Sequence, residues 1–164
     1  VDALLFFIGA GVVEELEQFL LVFLRWEQCL EFVVLVPRRN PILLWLFGEV
    51  EGCRVYHADP RRMAGFLELE QARVKWFLPV DGGDLPYEPT PGVQSTYRSI
   101  TIDDEEIEFT DGFTDLHTRV YEDILAGRGF GIDEARPSIN LAYRIRTSPL
   151  SPLDDMSHPF LVKD

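Results

Sequence analysis

The sequence predicts an α+β fold: an open, mainly antiparallel sheet with helices packed on one face, plus an apolar helical N-terminal segment. Three observations predict it. Residues 49 to 110 alternate apolar and polar side chains with a period of two, broken by turns rich in Gly, Pro and Asp. Residues 111 to 146 change to a helical period. Residues 1 to 40 are unusually apolar.

The elements follow in order. Ala3 to Ile8 is a candidate strand. Val12, Val13, Leu16, Phe19, Leu20, Phe23 and Leu24 recur at helical spacing, with Glu14, Glu15, Glu17 and Gln18 opposite. "FVVLV", residues 32 to 36, is β-branched and stops at Pro37, which predicts a short strand. "ILLWLFG" reads as the last turns of a buried helix closed by Gly48. "CRVYHA" alternates as a strand, with Cys53, Val55 and His57 on one face. "GFLELE" is the next strand. In "RVKWFLPV", Val74, Trp76, Leu78 and Val80 point one way and Arg73, Lys75, Phe77 and Pro79 the other. After the loop "DGGDLPYEPTPG", "YRSITID" and "EIEF" flank Asp103-Asp104 as a hairpin turn. Leu116, Val120, Tyr121, Ile124 and Leu125 form a helix stripe, capped by Gly127. Asp133 then starts a second helix with Ala135, Ile139, Ala142 and Tyr143 inward and Pro137 in the first turn. The tail from 148 to 164 is turn-rich and irregular, packed on the surface or disordered.

Composition narrows the function classes. A chain of 164 residues, 46% hydrophobic and 26% charged, suits one globular domain. A net charge of −13 disfavours nucleic acid and anionic membrane, both of which recruit clustered Lys and Arg. Cys29 and Cys53 form no CxxC pair and read as free thiols of a reducing compartment; a disulfide has no support. The apolar run from Phe19 stops at Arg25, too early for a spanning helix, and "VDALLFFIGAG" lacks a basic leader region. A chain beginning at Val1 reads as a trimmed product or a fragment, and the expected location is the bacterial cytoplasm.

Candidate chemistry is sparse. "IGAGVVEE" has strand, Gly-x-Gly turn and helix in the order that opens a dinucleotide-binding unit, with "FVVLV" as its second strand. Glu14 stands at the third glycine position, where its charge opposes a pyrophosphate, and the acidic residue after the second strand is missing. His57, His117 and His158 lie on separate elements with no metal-ligand spacing, so no metal site is expected. His57 and His158 read as structural polar groups; His117 stays open, in the first turn of a helix. The carboxylates of "DDEEIEFTD" alternate with Ile107 and Phe109, which makes a solvated hairpin the better reading than an acid–base pair. "GRGFG", residues 127 to 131, could cradle an anion or simply join two helices.

From Ile42 to about Thr147 the sequence resembles the C-terminal domain of Gfo/Idh/MocA-type oxidoreductases, and more narrowly the UDP-N-acetylglucosaminuronate 3-dehydrogenases. The resemblance rests on "LLWLFGEVEGCRVYHADPRRMAGFLELEQARVKWFLPVD", "TYRSITIDDEEIEFTDGFTDLH" and "YEDILAGRGFGIDEARPSINLAYRIR", roughly two thirds of the chain. It implies three parts: 1–41 as non-family sequence, 42–147 as the α+β domain and 148–164 as a tail. It implies NAD as the parent family's cofactor, with none bound by this chain. The family's substrate would be a UDP-sugar, oxidised for lipopolysaccharide O-antigen synthesis, and its oligomer would form through the sheet. The family's lysine in a Glu-Lys-Pro motif has no counterpart; the lysines here are Lys75 and Lys163. In the family pattern Asn-Ile-Gly-x-His-x-x-Asp, the His position holds Arg38 and the Asp position Pro41. Arginine stays protonated and proline carries no acid–base group, so no catalytic residue carries over. By the same resemblance, Asp115, His117 and Arg128 are the candidate substrate contacts. The expected state is an inactive chain joined to non-family sequence upstream; a non-catalytic module that self-associates or pairs with a full-length subunit through its sheet is the alternative.

Overall fold

The computed structural model describes residues 2–9, 42–80, 82–87, 96–110, 116–129 and 131–162. The helix expected at 12–24, the strand at 32–36 and the junction at 38–41 lie outside these residues. Within them the fold is α+β.

Six strands form one sheet: β1 (Asp2–Gly9), β2 (Val50–Ala58), β3 (Arg62–Leu69), β4 (Arg73–Pro79), β5 (Thr96–Ile102) and β6 (Glu105–Glu108). Their order is β2-β3-β4-β1-β5-β6. Only the β1–β4 pairing is parallel; the other ladders are antiparallel. The expected first strand therefore exists, and it sits in the middle of the sheet. Both of its edges are occupied, by β4 and by β5. The parallel neighbour of β1 is β4, so the described residues show no βαβ unit that starts from β1.

Local sequence explains the turns. Asp103 and Asp104 have φ values of 50° and 67° and join Ile102 to Glu105, its ladder partner. Two positive φ values make this a type I′ connection, which matches the twist of the flanking strands; Asp tolerates it better than most residues. α1 (Ile42–Phe47) ends where Gly48 takes a φ of 87° and donates its N–H to the Leu44 carbonyl at 3.1 Å.

The first face of the sheet carries the main core. Val55, Met63, Leu67, Val74, Trp76, Leu78 and Ile100 pack there against Leu43, Leu44 and Phe47 of α1 and Leu141 and Ile145 of α3 (Ile132–Thr147). Gly65 is required beneath Trp76: a β-carbon there would run into the Trp76 ring and the Arg54 carbonyl. The second face carries Ala64 and Phe77, packed with Leu85, Tyr97 and Leu161.

Four expectations need correction. A register shift between Val55 and His57 places His57 opposite Ala64, so it leaves the face of Cys53 and Val55. Ile107 is 53% exposed, because β6 is a short edge strand whose residues are exposed on both faces among the described residues. The buried stripe of α3 is Ser138, Leu141 and Ile145; Ile139 and Tyr143 point outward at 61% and 67% exposure. Pro137 is the sixth residue of that helix, past the first turn, so its missing N–H removes a bond to the Asp133 carbonyl.

The tail is described to residue 162 and is packed. Leu150 makes a parallel bridge to Val55, and the Ser151 N–H donates to the Val55 carbonyl at 2.8 Å. The tail then crosses the second face, where His158 is completely buried. Among the described residues no helix is long and apolar enough to cross a membrane.

Candidate functional site

The resemblance directs attention to α1. Its helix is fixed from below by Leu43, Leu44 and Phe47. The Gln71 N–H holds its last carbonyl, Phe47, at 3.0 Å. The sequence ILLWLF contains no group that can take or give a proton. Any acid–base residue at this end would have to come from the residues before it, and Arg38 and Pro41 lie outside the described residues.

The second locus is α2 (Leu116–Leu125) and its connection to α3. The expected cap is present: Gly127 has a φ of 72° and donates to the Ile124 carbonyl at 3.0 Å. Asp115 lies outside the described residues. His117 is the second residue of α2. Arg128 lies just beyond the other end of the helix and is exposed. Its guanidinium donates twice to Asp123 Oδ1, at 2.8 and 3.1 Å. A helix of this length is about 15 Å long, so His117 and Arg128 would meet only a long ligand lying along α2. The helix also leaves Tyr121, Ile124 and Leu125 of its expected stripe exposed, with Val120 half-buried.

A third cluster, with little local signal in the sequence, lies where the tail meets β2 and β4. The Tyr56 hydroxyl donates to Asp154 Oδ1 at 2.6 Å, and Arg54 pairs with Oδ2 at 2.6 Å. Burial pushes the Tyr56 phenol up to about 12, with the Asp154 carboxylate adding to it. The same hydroxyl, chiefly, holds Asp154 below the usual carboxylate range. Lys75 Nζ donates to the Asp155 carbonyl at 2.7 Å. His158 stacks on both Phe77 and Phe160, with centroids 5.3 and 5.4 Å away, and the two phenyl rings stack on each other at 5.5 Å. Its Nδ1 accepts the Phe160 N–H at 3.2 Å, which puts the proton of the neutral ring on Nε2. Burial, helped by Lys75, lowers its pKa to about 3. The one signal available was Pro159 after His158, a turn starter.

These groups are set to hold one protonation state at neutral pH. Tyr56 stays protonated, Asp154 stays ionised and His158 stays neutral, so none is poised for proton transfer. His57 Nε2 lies 2.7 Å from Asp59 Oδ2, which resembles part of a relay. Asp59 Oδ1 accepts the N–H groups of Arg61 and Arg62 at 2.6 and 2.7 Å, so the pair closes the β2–β3 turn. In the hairpin, Glu106 shows the opposite of an acid: hydroxyls of Ser99 and Tyr97 hold it below its usual range. Among the described residues no three His, Cys, Asp or Glu side chains are grouped to hold a metal. Cys53 is unbridged and half-buried, and burial raises its thiol.

No family model matches the chain. Solved structures do match, among them these two. One is the WlbA (WbpB) dehydrogenase from Thermus thermophilus in complex with NAD and α-ketoglutarate, with 36% identity and a TM-score of 0.71. The other is the same dehydrogenase in complex with NAD and UDP-GlcNAcA, with 37% identity and a TM-score of 0.73. Each match covers 97% of this chain and 51% of the other, so the chain spans about half the length of these relatives. The match is wider than the stretch 42–147 that carries the resemblance in sequence.

Proposed function

We propose that this chain, which matches a C-terminal segment of Gfo/Idh/MocA-type dehydrogenases, is the substrate and oligomerisation part of an NAD-dependent oxidoreductase. Its parent reaction is that of a UDP-N-acetylglucosaminuronate 3-dehydrogenase of surface-polysaccharide synthesis, and the chain itself is inactive. The observation that carries the family reading is 36–37% identity over almost the whole chain to dehydrogenases solved with NAD and, in one case, UDP-GlcNAcA.

The parent reaction oxidises a secondary alcohol. The C3–H leaves as hydride to NAD+, giving NADH, and the hydroxyl proton goes to a base while the carbon becomes a ketone. Binding NAD is proposed for the parent enzyme and not for this chain. Three observations support the loss of chemistry. α1 carries only apolar side chains. Arg38 and Pro41 stand where the resemblance expects His and Asp. Lys75 lies mid-strand in β4 and is engaged by the tail. Residues 1–41 are, in this reading, sequence joined to the domain by a frameshift or misjoined reading frame. Asp115, His117 and Arg128 remain the proposed substrate contacts; Arg128 would leave Asp123 to meet a diphosphate.

The full chain mixed with NAD+ and UDP-GlcNAcA is expected to form no NADH by absorbance. Turnover above the protein-free blank would sink the inactive reading. The DNA upstream of codon 42, read in all frames, is expected to encode family-like sequence in another frame. An intact reading with none would count against a junction. The second reading, a non-catalytic module that self-associates or joins a full-length subunit, is favoured by the exposed apolar side chains of α2 and α3. A monomer in sizing chromatography, alone and mixed with the full-length subunit, would remove it.

A further inference from the structure

The second face of the sheet is covered by residues 150–162, and the manner of covering is that of a bound peptide. Three kinds of contact are used in succession. Leu150 and Ser151 join the outer edge of β2 through backbone groups at Val55. Asp154 enters a polar seat made by Arg54 and Tyr56. The rings of His158 and Phe160 stack on Phe77 of β4, at 5.3 and 5.5 Å. Backbone pairing, a charged anchor and aromatic anchors are the means by which sheets recognise extended peptides.

The segment is also pre-shaped. The Ser157 N–H donates to the Asp154 carbonyl, and the Asp154 N–H to Ser157 Oγ. The Met156 N–H donates to Asp154 Oδ1. A ligand already folded into its turn loses less entropy on docking. Charge completes the match. In a chain of net charge −13, Arg54 and Lys75 both meet the tail, while Glu106 and Glu108 are exposed at the far side of the sheet.

We propose that the second face over β2, β3 and β4 is a recognition surface for an acidic–aromatic peptide, closed in cis by this chain's own residues 150–162. It is independent of the dehydrogenase reading and uses none of the proposed substrate contacts Asp115, His117 and Arg128. A tethered ligand is present at roughly millimolar effective concentration, so the cis segment excludes a dilute competitor.

The test uses the full chain with Asp154→Ala, His158→Ala and Phe160→Ala together, which weakens the strap and leaves its seat intact. The probe is a fluorescent peptide of residues 149–162. Saturable binding is expected, at least tenfold tighter than to the unaltered chain. A probe with the same three substitutions should not bind, and Arg54→Ala in the weakened chain should lower affinity about tenfold. Absence of binding to a weakened chain whose sheet amides remain protected from exchange would overturn the proposal. So would equal binding to the weakened and unaltered chains. If the triple variant loses the sheet, Phe160→Ala alone replaces it, with the same two outcomes.

Discussion

The two faces of the sheet are built by different chemistry. The first is hydrocarbon: Trp76, Leu67 and Val74 meet α1 and α3, with almost no solvent contact. The second is polar and aromatic: Asp154 in its seat, His158 against two phenyl rings. The first face depends on burial alone, which pH hardly touches. The second depends on protonation states being held, so solution conditions can reach it. One sheet thus carries an unconditional side and a conditional one.

The largest expected effect breaks the first face. Trp76→Ala should cost about 3–5 kcal/mol in urea unfolding, because the cavity lies under α3 and Gly65 offers nothing to fill it. A loss below 1 kcal/mol would show that this face is not the main core. The next effect separates the faces by pH. The unfolded chain protonates His158 near its ordinary 6.5, while the folded chain resists until about 3. Stability should therefore fall as pH drops through that window, at up to about 1.4 kcal/mol per unit. His158→Phe should flatten the dependence between pH 7 and pH 5; an unchanged slope would assign it to other groups.

A smaller effect sharpens the second face. Tyr56→Phe removes the phenolic donor and keeps the ring. Exchange of the tail amides should quicken about fivefold while the amides of β3 and β4 are unchanged. If both change together, the tail and sheet open as one unit. The smallest effect is Arg128→Ala, within about 0.5 kcal/mol by thermal unfolding, since an exposed ion pair holds little. A loss well beyond that would make Arg128 a structural clamp and weaken its place among substrate contacts.

Legibility in the sequence followed the range of the interaction that decides each feature. Gly48, Gly127 and Asp103-Asp104 were legible because a cap or a two-residue turn is chosen by its own backbone. The strands were legible because alternation is local. The inward face of α3 was not. Ile139 and Tyr143 compete with Leu141 and Ile145 at helical spacing, and only the position of the sheet decides between them. The bulge that turns His57 to the second face is set by pairing with β3. The tail carries no period at all, so the burial of His158 had no signal beyond Pro159. Of the three expected substrate contacts, only Arg128 has a described side chain, and it is tied to Asp123.

The central place of β1 has a consequence for how the chain is made. Its partners end at Phe77 in β4 and span Thr96 to Ile102 in β5. At a synthesis rate of roughly 5–20 residues per second, the strand waits roughly 3–14 s for β4 and roughly 5–19 s for β5. The two hairpin units, β2-β3-β4 and β5-β6, can form from near neighbours, but only β1 joins them. Its docking closes the longest loops in the sheet and should come late and slowly. Until then the nascent chain offers an unpaired apolar strand, the kind of segment that chaperones hold and aggregates recruit.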